Sequence, residues 1–314
     1  MILIFDSIGG LSDQIKDLKT ILYFIYKTKM QFSIRFASSR PISDPNVWNL
    51  YEFSNLFNER EMFSSIEYYV PYNSLVSVMN DENTYNFYNL HINETLWKND
   101  IEVHKKHTSK LYSMMQENVY NYLIVGGSMW YWLTDENKPI FNFHNIYLDF
   151  GNVKIPIVPS DKIINCLNKF KQRISNVKYN YLHYRYESDW IPYIKSRNKN
   201  YIRPKLNHLI NNLPYKTPLP IYIATSNIEK LYKTGLLEQN IDTYDNIIYK
   251  KNNDCEDLNY DECGFFDMLI SIGAEEVFGF SWSGFSININ KLKGSENYYD
   301  KLEAFDISSN YYDE

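Results

Sequence analysis

Cysteine is scarce: Cys166, Cys255 and Cys263 are the only three in 314 residues. An odd, sparse set supplies no disulfide framework, and no Cys-x-x-Cys pair gives the spacing of a structural zinc site. Long apolar runs are missing as well. The amino-terminal run, "MILIF", has five residues, against the roughly 20 that crossing a bilayer requires, and no basic leader precedes it. The expectation is a cytoplasmic protein with no transmembrane segment. Positive charge is in deficit, with 32 Lys and Arg against 38 Asp and Glu and a net charge of −6. Phosphate neutralisation along a nucleic acid needs clustered cations, so no nucleic-acid partner is expected, although a local basic pocket fits the same balance. The chain has neither a Gly-x-Ser-x-Gly elbow nor a Gly-x-x-x-x-Gly-Lys loop, which removes the support for an α/β hydrolase or a P-loop kinase.

What is present suits a folded α/β protein. Hydrophobic residues at 44% and charged residues at 22% are the proportions of a globular chain. The 29 tyrosines accompany many Asn, Ile and Lys. That combination reads as genomic bias, so no single tyrosine carries weight. "ILIFDS" is a short strand ended by Gly9-Gly10, after which Leu11, Ile15, Leu18, Leu22 and Ile25 recur at helical spacing. "FSIRFASS" is the next strand. "SNLFNEREMFSSI" and "HKKHTSKLYSMMQENV" read as helices, and "YNYLIVGGSMWYW" holds a central strand with its own glycine turn.

Pro156 and Pro159 in "DFGNVKIPIVPSD" disfavour helix and sheet alike, so a domain boundary is expected there, giving domains 1–158 and 159–314. The rhythm then restarts with the helix "DKIINCLNKFKQRI", capped by Ser160 or Asp161. Strands at "KYNYLHYRYE", "LPIYIATSN", "YDNIIYK" and "EEVFGFS" alternate with helices at "YIRPKLNHLINNL", "IEKLYKTGLL" and "CGFFDMLISIGA". Such alternation predicts parallel, doubly wound sheets in two α/β domains facing a cleft, with the second domain the more regular.

Ligands of open α/β sheets sit at the carboxyl ends of strands. Three such ends in the second half carry useful side chains: "LHYRYESDW", "YIATSN" and "VFGFSWSGFS". Arg185 at one end and the turn around Ser281, Ser283, Gly284 and Ser286 at another would together receive an anion. A guanidinium offers paired donors to phosphate, and turn amides before a helix cradle it. The other reading of Arg185 is an ion pair with Glu187 or Asp189 at the sheet rim. Spacing alone leaves both open.

"HYRYESDW" resembles the His-x-Arg-x-x-x-Asp-Trp segment of protein O-fucosyltransferases and of the wider GT-B fucosyltransferase family. "GGLSDQ" at 9–14 resembles that family's amino-terminal glycine loop, "IYIATSN" its Val-Tyr-Val-Ala-Thr strand, and "DMLISIGAEEVFGFSWSGFS" its donor-binding segment. The resemblance runs along most of the chain in order, through about four short stretches. It implies a GT-B type fold, two Rossmann-like domains facing a central cleft: an acceptor-side domain and a nucleotide-sugar domain, with a last helix that can return to the first. It also implies inverting, metal-independent transfer of fucose from GDP-fucose to a hydroxyl of a glycan or protein acceptor, with no cofactor. The absence of an Asp-x-Asp pair agrees with that.

By resemblance, Arg185 balances charge on the β-phosphate and His183 contacts the donor. Asp267 holds guanine or ribose, while Gly9, Gly10, Asp189 and Ser281 complete the donor set. Ser283, Gly284 and Phe285 line the diphosphate. The chain departs from the family in two places. Asp13 stands where relatives carry Asn, which makes it the candidate general base; an Asp in a first helical turn equally meets the helix dipole with no catalytic duty. Gly284 stands where a second Ser is usual. Asp13 also keeps open a catalytically degenerate binder of nucleotide sugar or glycan.

Other features carry less. His104 and His107 lie three apart and read as solvated helix residues rather than metal ligands. The acidic run "NDCEDLNYDEC" at 253–263 reads as a solvated loop. Trp130 and Trp132 suit either an acceptor pocket or core packing. The sequon at Asn93 has no secretory leader to give it meaning.

Overall fold

The computed structural model describes residues 1–7, 9–39, 49–88, 101–127, 147–149, 154–175, 177–185, 195, 203–226, 231, 233, 246–251, 254, 257–302 and 312–313. These fall into two compact units that divide between Asp161 and Lys162.

In the first unit, β1 (Ile2–Ser7), α1 (Leu11–Thr28) and β2 (Gln31–Ser39) form a parallel strand–helix–strand unit. The predicted stripe of α1 is its buried face: Leu11, Ile15, Leu18, Leu22 and Ile25 all pack inward. There follow β3 (Asn49–Glu52), the short α2 (Glu59–Phe63), β4 (Thr84–Tyr88), α3 (Ile101–Glu117) and β5 (Tyr122–Gly127). The sheet order is β3-β2-β1-β5-β4, parallel except for β3, which lies antiparallel on the β2 edge. A two-stranded antiparallel pair, β6 (Tyr147–Asp149) and β7 (Lys154–Pro156), closes the unit.

The second unit begins with α4 (Asp161–Ile174), β8 (Asn180–His183), β9 (Arg203–Pro204) and α5 (Leu206–Asn212). It continues with β10 (Ile221–Ala224), β11 (Ile247–Tyr249), α6 (Tyr260–Gly273), β12 (Val277–Phe278), α7 (Gly284–Lys293) and β13 (Tyr312–Asp313). Its sheet, β11-β10-β8-β12, is parallel throughout, and β13 pairs antiparallel with β9. Alternation divides the strands between two apolar layers. Leu182, Tyr184, Ile221, Ile223 and Phe278 pack with Leu206, Leu209 and Ile210 of α5. On the opposite side Phe170 of α4 meets the rings of Tyr222 and of Phe266 from α6, and Tyr181 stacks on Tyr222 at 5.5 Å. A sheet covered by helices on both faces is the arrangement that all-parallel strands demand.

The structure departs from the sequence reading in several places. "SNLFNEREMFSSI" is one turn of 3-10 helix followed by the five-residue α2, because Asn58 caps a new start by accepting the Glu61 amide. Among the described residues of "YIRPKLNHLINNL" the helix starts at Leu206, after the prolyl Arg203–Pro204 strand. Ser160 is buried with its hydroxyl meeting no partner among the described residues, so the cap expected of it at α4 is not formed. The described part of the acidic run, Asp254 and residues 257–263, is not a solvated loop. Asp254 pairs with Arg173 at 2.6 Å, while Glu262 pairs with Lys162 and closes a capping box with Asn259 at the start of α6. The helix expected at "IEKLYKTGLL", along with Trp130, Trp132, Asn93 and Cys255, lies largely or wholly outside the described residues.

One irregularity sits at the carboxyl end of β1. Phe5 pairs with Ile34 but Asp6 with Phe36, so Arg35 is an extra residue in β2. The bulge brings its guanidinium onto Asp6 with two hydrogen bonds, of 2.9 and 2.5 Å. Asp6 is fully buried. Removing the arginine takes two charge-assisted hydrogen bonds from a buried carboxylate, so Arg35→Met is expected to lower stability by about 1–3 kcal/mol. Asp6→Asn added to it should recover part of the loss. Urea unfolding of both variants measures this.

Candidate functional site

The chain runs from β8 outward through β10 to β11, then returns to the other side of β8 as β12. The reversal makes the carboxyl ends of β8 and β12 the switch point, where open α/β sheets leave a crevice for ligands. The sequence delivers "HYR" to one of these ends and "GFSWSGFS" to the other.

A hydrogen-bonded clasp joins them. Ser286, fully buried in the first turn of α7, has its Oγ 2.6 Å from His183 Nδ1 and accepts the Phe280 amide at 2.9 Å. Gly279 makes the room: a side chain there would begin 2.6 Å from Ser286 Cβ and 2.7 Å from its Oγ. Ser283 is the N-cap of α7, its Oγ accepting the Ser286 amide. The amides of Gly284 and Phe285, the first two of the helix, have no intrahelical acceptor, and none is found for them among the described residues. Phe285 lays its ring 4.7 Å from the His183 imidazole. His183, Ser283, Gly284 and Phe285 are thus brought together as one wall, with helix-end amides of partial positive charge beside an imidazole.

Arg185 follows two residues after His183, half-buried past the end of β8. Asp189 and Glu187 lie outside the described residues. On the next strand Thr225, buried one residue past the Ala224 that pairs with His183, holds a hydroxyl with no partner among the described residues. Ser281 is engaged elsewhere: its amide and hydroxyl both donate to Asp300, at 2.8 and 2.5 Å. Asp267 is buried in α6, accepting from the Tyr222 hydroxyl at 2.6 Å and from Lys250 Nζ at 2.7 Å. Burial, with the Asp267 charge nearby, pushes the Tyr181 phenol well above its ordinary pKa, so that ring stays neutral.

The first unit has its own switch point, between β1 and β5, since β1 leads to β2 on one side while β4 and β5 lie on the other. "GGLSDQ" sits there. Gly9 has φ +137°, and a side chain on it would meet Asp13 Cβ at 2.9 Å, so only glycine fits. Gly10 is the N-cap of α1, and buried Gln14 donates to the Gly9 carbonyl at 2.9 Å, pinning the loop. Asp13 lies in the first turn in a partly exposed ion pair with Lys16 at 2.9 Å. Such a pair contributes little to stability.

No protein-family model and no curated protein sequence matches the chain. Solved structures do. A structure of POFUT1 in complex with GDP gives a TM-score of 0.53 at 11% identity, over 95% of this chain and 97% of that one. POFUT1 with GDP-fucose gives 0.52 at 11%, over 92% of each. The fucosyltransferase NodZ from Bradyrhizobium gives 0.48 at 10%, over 92% of this chain and 91% of that one. The resemblance to fucosyltransferases holds at the level of the fold.

Several polar residues of these two edges were not singled out from sequence. Asp6 and Arg35 are hidden because a bulge, which no periodicity announces, creates their pair. The buried Ser7–Asp17 hydrogen bond, 2.7 Å, spans ten residues from strand to helix. Thr225 did have a signal, as the polar residue ending an apolar strand. Among the described residues no three His, Cys, Asp or Glu side chains converge as metal ligands, and no helix is long and apolar enough to cross a membrane.

Asp300 holds the turn before α7 by accepting both the amide and the hydroxyl of Ser281. Asp300→Ala should lower stability by about 1–3 kcal/mol, the cost of two hydrogen bonds to a charged acceptor, one of them to a backbone amide. Thermal unfolding checks the loss.

Proposed function

We propose that the chain is a glycosyltransferase that takes fucose from GDP-fucose and passes it, with inversion and without a metal, to a hydroxyl of a glycan or protein. The observation that carries the proposal is the wall at the β8–β12 switch point: half-buried Arg185, the His183 imidazole, and the Gly284 and Phe285 amides at the start of α7. Fold likeness to structures of POFUT1 solved with GDP and with GDP-fucose supports the choice of donor.

In this reading the two units are the domains of a GT-B enzyme with the reaction in the cleft between them, the second unit holding the donor. When the acceptor oxygen attacks the anomeric carbon, the bond to the β-phosphate breaks on the opposite face and negative charge gathers on GDP. Arg185 stays protonated at any working pH and meets that charge with paired N–H donors. The α7 amides and helix dipole supply further positive potential with no reorganisation. His183 and Thr225 contact the diphosphate or ribose. Ser281 shapes the turn, Asp267 orients Lys250 at the carboxyl end of β11 for the nucleoside, and Asp189 joins them through the motif. Gly9 and Gly10 complete the donor set from the first unit, and the acceptor enters beside that loop near Asp13, which takes its proton.

One observation favours a second reading, a binder of nucleotide sugar without transfer: Asp13 is held by Lys16 rather than poised alone. The two separate on GDP release. Arg185→Ala is expected to keep the fold and to lower transfer at least a hundredfold, the loss typical for one transition-state charge partner. Transfer by this variant at the parent rate contradicts the mechanism, and GDP binding by the parent chain with no release over a panel of acceptors favours the binder.

A further inference from the structure

The geometry around Ser286 assigns this residue a role beyond capping: we infer that it is a positioning residue that holds His183 as the Nε2–H tautomer. The argument is a count of protons. A serine hydroxyl has one proton to give and two lone pairs to receive. Ser286 Oγ receives the Phe280 amide proton at 2.9 Å. Its other contact is His183 Nδ1 at 2.6 Å, and among the described residues no third partner is in reach of this fully buried hydroxyl. Were Nδ1 to carry the ring proton, the hydroxyl would receive from both neighbours and its own proton would be left buried without an acceptor, a cost of about 1–3 kcal/mol. The arrangement that satisfies the hydroxyl has Oγ–H donating to Nδ1, which leaves the ring proton on Nε2.

The position of the hydroxyl is itself fixed. Its Cβ occupies the space that any side chain on Gly279 would need, 2.6 Å away. Phe285 flanks the imidazole at 4.7 Å. His183 is therefore held at one ring nitrogen and flanked by a phenyl ring, and in this tautomer its other nitrogen is a donor. A fixed N–H donor at the carboxyl end of β8 selects for an acceptor-only ligand group such as a phosphate oxygen. That consequence, unlike the tautomer, rests on the reading of the site as a nucleotide-diphosphate site.

The test is nitrogen-15 NMR of the full chain labelled in histidine, at a pH where His183 is neutral, without and with GDP. The expected wild-type spectrum has one tautomer, with Nδ1 unprotonated and hydrogen-bonded and the proton on Nε2. In Ser286→Ala the Nδ1 resonance should move to its non-hydrogen-bonded position and a share of Nδ1–H tautomer should appear. Affinity for GDP should weaken roughly tenfold, as when an outer partner of a ligand histidine is removed. Gly279→Ala, which displaces the hydroxyl while keeping it, should shift Nδ1 in the same way. A protonated Nδ1 in the wild type overturns the inference with no variant needed, as does an unmoved Nδ1 resonance in Ser286→Ala. A wild type with the expected tautomer but no response to GDP upholds the role of Ser286 and overturns the donor instead.

Discussion

The hydrogen bond from Ser286 to His183 ties the end of one strand to the first turn of the helix that follows its neighbour. Much of the candidate site depends on it. The helix α7 can start where it does only because Ser283 caps it, and it can lie against the sheet only because Gly279 presents no side chain to Ser286. With the clasp closed, the helix amino end, the imidazole and the Phe285 ring share one side of the crevice. Arg185 projects from the same strand end two residues on. Apolar burial builds the sheet and its layers, but it is indifferent to where donors point. The direction of the donors is decided by this short polar network.

Each unit repeats the same solution in its own residues. A reversal of strand order opens a crevice; a glycine makes a close approach possible, Gly9 by its φ and Gly279 by its missing side chain. A buried acid near the strand ends is neutralised by a basic residue, Asp6 by Arg35 and Asp267 by Lys250. Charges in such places cost more to bury than most packing gains return, and they persist because both partners are present. Folding has therefore placed fixed charge at both edges.

The parallel strand–helix alternation was legible because apolar runs of four to six residues between helical stripes have few other solutions. β1, α1, β8, β10 and α6 are all where periodicity puts them. β4 was not legible: "TYNFY" has no aliphatic run, and tyrosines carry no weight in so tyrosine-rich a chain, although Phe87 is in the core. β3, β9 and β13 are too short to carry a period, and their pairing is decided by tertiary context. At the site, the motif residues on strand ends were readable as a set. Their partners were not, since Ser286 Oγ to His183, Ser281 to Asp300 and Asp267 to Tyr222 span between 19 and 103 residues. Sequence gives chemistry at a strand end, whereas the contact that aims it is long-range.

The central claim is that a diphosphate sits against the amino end of α7 and the end of β8. Amide hydrogen exchange followed by mass spectrometry, on peptides covering 279–290 and 180–185 with and without GDP, tests it most directly. The account predicts slowed exchange in both peptides on adding GDP, with the Gly284 and Phe285 amides among those protected. Exchange unchanged in both, or slowed only in peptides of the first unit, contradicts it.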